Sequence, residues 1–162
     1  MSTAFSLRPA RPDDVSAIVG LITELAEFEQ LTHLLEVTPA KLGPHLFGER
    51  PAAECVVAEV AGKVVAFALF FSNFSTFLAR PGLYLEDLYV QPAHRGGGLG
   101  KALLEHLARL AVTRGCGRFE WSVLDWNANA IAFYEKFGAT LMPDWRICRV
   151  SGERLARFAD AG

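Results

Sequence analysis

Residues 91–107, QPAHRGGGLGKALLEHL, place Gly96, Gly97, Gly98 and Gly100 within five positions and then run into a helical pattern. Glycine weakens any regular element it occupies, so the run marks a sharp turn rather than the interior of a helix or strand. Leu99, Leu103, Leu107 and Leu110 follow at helical spacing, and the pattern ends near Gly115. On the N-terminal side LYLEDLYV (83–90) reads as a strand. Strand, glycine turn and helix start aim free backbone N–H groups and the positive end of a helix dipole at one spot. Such a spot suits an anion, and a pyrophosphate in particular. A tight turn with no ligand is the alternative, and the run alone does not separate the two.

Two well-known glycine loops do not fit. A Walker loop requires glycine where Arg95 stands and Ser or Thr where Ala102 stands. The dinucleotide fingerprint fails because its third glycine falls on Lys101 or on Leu103. Arg95 and Lys101 nevertheless add cationic groups beside the amides.

Working outward, FSLRPA (5–10) reads as a first strand and PDDVSAIVGLITELAEFEQ (12–30) as a helix with its apolar stripe on Val15, Ile18, Val19, Ile22, Leu25 and Ala26. In TPAKLGPHLF (38–47), Thr38 caps a helix with Pro39 at its first position, and Gly43-Pro44 should break it quickly. ECVVAEVAGKVVAFALFF (54–71) reads as a hairpin turning at Ala61-Gly62-Lys63, and FSNFSTFLARPG (71–82) as a loop. RFEWSVLDW (118–126) is an expected strand and NANAIAFYEKF (127–137) a helix capped by Asn127 and closed by Gly138. DWRICRV (144–150) is expected as a last strand and SGERLARFA (151–159) as a short terminal helix. The order β-α-α-β-β-β-α-β-α-β predicts a mixed α/β sheet in a single domain, 1–162.

Composition bounds the function. With 16 basic and 18 acidic residues, the chain has no general electrostatic reason to bind nucleic acid or an anionic membrane. No run reaches the ~18 apolar residues of a membrane span, and MSTAFSLRPARPDD lacks the apolar core of a signal peptide, so a cytoplasmic location is expected. Cys55, Cys116 and Cys148 match neither a zinc spacing nor a disulfide framework, the histidines show no metal spacing, and no metal is expected.

RGGGLG (95–100) fits the pattern Arg/Gln-x-x-Gly-x-Gly/Ala of the GNAT acyltransferase superfamily. LYLEDLYVQPAHRG resembles the strand that precedes that loop, and WNANAIAFYEKFGA (126–139) resembles the superfamily's second CoA motif. ELAEFE, LYLEDLYV and WNANAIAFYEKFGA are most similar to spermidine/spermine and thialysine N-acetyltransferases. The resemblance runs from RPARPDD near the start to DWRICRV near the end. It implies the GNAT fold: a mixed, mostly antiparallel sheet of about six to seven strands, flanked by helices, with a splayed pair of strands holding CoA. It implies acetyl-CoA as co-substrate, a small-molecule primary amine as acceptor and a homodimer.

Acetyl transfer to an amine poses two proton problems. The ammonium, with a pKa of about 10, must lose a proton before it attacks, and the departing thiolate must be protonated or stabilised. By resemblance Glu86 takes the first proton through water and Tyr134 supplies the second. The alternatives are a hydrogen-bonded glutamate at a strand bulge and a half-buried helix tyrosine. Strand alternation puts Glu86 and Asp87 on opposite faces. The resemblance further implies that the backbone of Leu88, Tyr89 and Val90 pairs with pantetheine. The amides from Gly96 through Gly97, Gly98, Leu99, Gly100 and Lys101, with Arg95 beside them, would hold the pyrophosphate, and Asn127, Ala130 and Tyr134 would line the pantetheine arm. Phe28, Glu29, Glu86, Asp87, Trp121, Ser122 and Trp145 are the expected amine-site residues, with packing and pocket equally open for Trp145. A loop aspartate of the polyamine enzymes is missing, Ser75 or Thr76 standing there, and Phe77 replaces a tryptophan. Fewer carboxylates predict a shorter or less charged amine than spermine, since each desolvated ammonium needs a partner. Two other functions stay open: acetylation of a protein N-terminus or lysine, and a non-catalytic CoA-binding domain. EFEQLTHLLE and FSNFSTFLARPG are expected to cover the open groove that a protein substrate needs.

Overall fold

The computed structural model describes residues 4–160. Ser6–Pro9 forms β1, and a 3-10 turn at Pro12–Asp14 leads into α1 (Val15–Phe28). Thr38 caps α2 (Pro39–Phe47), its hydroxyl accepting from the Lys41 amide at 3.2 Å. The expected break at Gly43-Pro44 does not occur, and α2 continues to Phe47. Proline removes only one intrahelical bond there, and the second turn carries Leu46, which is buried in the core cluster.

β2 (Glu54–Val60) and β3 (Lys63–Ser75) form the expected hairpin. Its turn, Ala61-Gly62, has positive φ at both residues, 48° and 77°, the mirror-image turn whose twist matches flanking strands. β3 is longer than its sequence signal. It takes in Phe71 to Ser75, turns over 76–79 and returns as β4 (Arg80–Val90), so most of the expected loop 71–82 is strand. α3 (Leu99–Thr113) then crosses to β5 (Arg118–Trp121), which runs parallel to β4. The sheet order is β1-β2-β3-β4-β5, antiparallel except for the last pair. It has five strands where six to seven were expected.

The core divides by strand register. Ile18 and Leu21 of α1 pack with Leu46, Cys55, Val57, Phe67 and Tyr89 on one face. Residues of opposite parity, Val56, Ala58, Ala66, Ala68 and Phe70, belong to the other face, and Leu103, Leu104 and Leu107 of α3 are fully buried. Arg8 ties β1 to its neighbours through Asp14 at 2.7 Å and Glu59 at 2.8 Å. The Arg8 guanidinium holds the buried Asp14 carboxyl below the usual carboxylate range, more than offsetting the opposing effect of burial.

The described chain divides into two compact units, one ending at Ser122 and the other beginning at Val123. The second holds α4 (Ala128–Phe137) and α5 (Gly152–Ala156), followed by a 3-10 turn at Arg157–Asp160. The expected strand DWRICRV does not form: residues 144–150 take no strand conformation. RFEWSVLDW is strand only as far as Trp121.

Candidate functional site

Pairing sets up the first half of the site. β4 and β5 run together only from Gly82↔Arg118 to Leu85↔Trp121. From Glu86 to Val90, β4 continues with no pairing strand on that side among the described residues. This is the expected splaying, and it leaves a strand edge open beside Leu88, Tyr89 and Val90. Within β3–β4 the register jumps from Leu69↔Asp87 to Phe70↔Leu85, so Glu86 is the extra residue of a β-bulge. The bulge overrides simple alternation. Glu86 is exposed, whereas Asp87 is partly buried on the same β4 parity as Tyr89.

After β4 the chain makes a 3-10 turn at Pro92–His94, and Gly96 and Gly98 take φ of 84° and 83°, left-handed values that favour glycine. Gly98 is the N-cap of α3. No backbone carbonyl among the described residues accepts from the amides of 96–101; the first intrahelical bond is Ala102 N–H to Gly98 O, 2.9 Å. A Cβ built on Gly96, Gly97 or Gly98 meets nothing within 4 Å. Unused donors, a helix start and open space together form a cradle that a pyrophosphate fits. Lys101 lies in its first helical turn, 3.6 Å from Glu105. Arg95 points elsewhere: its Nε donates to the Val90 carbonyl at 2.8 Å, and its guanidinium lies over the rings of Phe28 (5.7 Å) and Tyr89 (5.3 Å).

The acidic side gathers Glu29, Glu86 and Asp87. Burial, reinforced by the charges of Glu86 and Glu29, pushes the Asp87 carboxyl up to about 6. Burial alone raises Glu29. Asp87 is therefore a second candidate acid beside Glu86, the residue that the resemblance favours. A raised pKa means that ionising Asp87 opposes folding. The cost is absent below the ordinary value of 3.8 and complete above about 6. Asp87→Asn is expected to add about 1–2 kcal/mol of stability at pH 7, allowing for screening, and much less at pH 4. Chemical denaturation at the two pH values checks this; an equal gain at both would remove the ionisation argument.

Trp121 packs on Phe119 with ring centroids 4.9 Å apart, and Ser122 pairs with the Tyr84 hydroxyl at 2.8 Å, a contact with no local sequence signal. Phe77 sits at the β3–β4 turn, 99% exposed. In the second unit Asn127 caps α4, accepting from the Ala130 amide at 3.3 Å, and Gly138 closes the helix at φ 114°. Tyr134 is half-buried on α4 beside Phe133, 5.6 Å between ring centroids. Trp145 is 77% exposed. Among the described residues no group of three or more His, Cys, Asp or Glu could hold a metal ion, and no helix is long and apolar enough to cross a membrane. The Cys55 thiol is buried and pushed up to about 12, mainly by that burial, which makes it a poor nucleophile.

A strand that splays from its parallel neighbour, followed by a glycine cradle at a helix start, is the framework of an acyl-CoA-binding fold. The family model described as "Acetyltransferase (GNAT) family" matches residues 21–139. The chain belongs to that family and, with it, to the acetyl-CoA-dependent N-acetyltransferases. It is 37% identical to a thialysine N-epsilon-acetyltransferase of Mus musculus, over 94% of this chain and 96% of that one. It is 35% identical to an L-ornithine N5-acetyltransferase of Arabidopsis thaliana, over 92% of this chain and 85% of that one. Among solved structures, an integron cassette protein from the mobile metagenome of V. cholerae superposes with a TM-score of 0.80, 27% identity and 98% coverage of each chain.

Proposed function

We propose that this chain, as a single functional domain, transfers the acetyl group of acetyl-CoA to the terminal primary amine of a small amino acid or short diamine. The observation that carries the reading is the cradle at 96–101 beside the open edge of β4, with Glu29, Glu86 and Asp87 in the same unit. The thialysine and ornithine activities named for its relatives have the same chemistry.

In this reading the amides of 96–101 and Lys101 hold the pyrophosphate, and the β4 edge at Leu88 to Val90 pairs with pantetheine. Asn127 and Ala130 line the pantetheine arm. Phe28, Glu29, Asp87, Trp121, Ser122 and Trp145 serve the amine. Glu86 accepts a proton from the ammonium through water. The freed nitrogen attacks the thioester carbon, the C–N bond forms, the C–S bond breaks, and the nitrogen gives up its second proton to water, from which Tyr134 is later reprotonated. The phenol of Tyr134 gives its proton to the departing thiolate. Asp87 is the second candidate for the base, favoured by a carboxyl already poised at about 6. The pair is separated by Glu86→Gln and Asp87→Asn: loss of the base lowers kcat/KM, and the loss shrinks at high pH, where free amine is abundant.

Few carboxylates favour a short acceptor, so kcat/KM is expected to rank thialysine, ornithine or a short diamine above spermidine and spermine. A clear preference for spermine contradicts the substrate class and leaves the transferase reading intact. The working unit is a homodimer in a cytoplasmic setting. Its support is the exposed apolar set Leu141, Met142, Trp145, Ile147, Val150, Leu155 and Phe158, a surface of the kind that associating proteins cover. Light scattering of the purified chain tests the dimer.

A further inference from the structure

The stretch that enters the glycine cradle is tied to the last turns of α1 at two points. Gln91 Nε2 donates to Glu24 Oε2 at 3.1 Å. Four residues on, the Arg95 guanidinium lies 5.7 Å from the centroid of Phe28 and 5.3 Å from that of Tyr89, while its Nε donates to Val90 O at 2.8 Å. Phe28 is the last residue of α1, and Glu29 follows it directly. Glu29 in turn raises the Asp87 carboxyl through its charge. A planar cation anchored to Val90 O restricts where the Phe28 ring and the acidic end of α1 can sit.

We propose that Arg95, the first residue of the cradle motif, is a positioning residue for the amine side of the site: it holds Phe28, and through it Glu29, in place for the acceptor. This rests on the assignment of Phe28 and Glu29 to the amine. Its consequence departs from the role that the motif assigns to this position. Lys101 and the free amides serve the pyrophosphate, and Arg95 serves α1.

Arg95→Gln is the informative variant, because glutamine satisfies the Arg/Gln-x-x-Gly-x-Gly pattern while removing the cation. At saturating acetyl-CoA its KM for the amine is expected to rise about two- to fivefold, matching the loss of a cation–π contact at an exposed site. Its dissociation constant for acetyl-CoA, read by calorimetry without turnover, should move by less. Phe28→Leu should give a similar rise, and the double variant no further rise. Arg95→Lys, which keeps a cation, should recover part of the loss. An acetyl-CoA constant that moves as much as the amine constant, or single-variant effects that multiply in the double variant, overturns the proposal. The same cycle on unfolding free energy reads the Arg95–Phe28 contact without substrate, and additivity there also overturns it. A parent chain that acetylates no amine overturns the function reading instead, and with it the amine-side role.

Discussion

Gly100→Val is expected to keep its fold and lose the thermal stabilisation that acetyl-CoA gives the parent. Ligand at about 100 times its Kd adds about 2.7 kcal/mol of stability, a rise of several degrees in Tm for a chain of this size. Gly100 is the better probe of the cradle than Gly98. Gly98 has a φ of 83°, so any side chain there strains the free protein and confuses two effects. At Gly100 a Cβ meets only Val90 Cγ2, at 3.9 Å, an ordinary contact. Replacing a helical glycine also costs the free protein nothing in propensity. The added methyls would stand beside Val90 at the end of β4, between the proposed pantetheine and pyrophosphate sites. Differential scanning fluorimetry with and without acetyl-CoA reads the outcome. A variant with the parent's shift would place the pyrophosphate elsewhere.

Tyr134→Phe is expected to lower kcat by about 10²-fold or more, the usual contribution of a positioned proton donor, with acetyl-CoA affinity nearly unchanged. The substitution removes one hydroxyl and almost no surface, so a loss confined to kcat marks a transition-state role. The pH profile separates it from the base. A missing base is partly replaced at high pH by free amine, whereas a missing acid is not. Parental turnover on the best amine would remove Tyr134 from the mechanism.

Features written in local chemistry were legible in the sequence. The Ala61-Gly62 turn needs positive φ at both residues, and Gly62 supplies it without strain at one of them. Thr38 and Asn127 cap their helices through their own side chains. The glycine run sits between its strand and helix as its composition demands. Features that depend on a distant partner were not legible. DWRICRV alternates like a strand, but a strand needs a pairing partner, which a segment's own pattern does not supply, and residues 144–150 take no strand conformation. Pro44 reads as a stop, yet burial of Leu46 carries α2 beyond it. Residues 71–75 are too polar to announce a strand, but pairing with 80–84 makes them one. At the site, Glu86 and Asp87 were both visible, while the bulge that exposes one and buries the other follows from register with β3. The Glu24–Gln91 and Tyr84–Ser122 contacts join residues 67 and 38 positions apart, beyond any local pattern.

The most direct test of small-amine acetylation is CoA release by the parent chain, followed with a thiol reagent, with acetyl-CoA alone, with thialysine or ornithine added, and with a lysine-containing peptide added. Release is expected to depend on the small amine, to saturate with it and to yield an N-acetylated amine by mass spectrometry. Release that responds only to the peptide, or to no acceptor at all, would contradict small-amine acetylation.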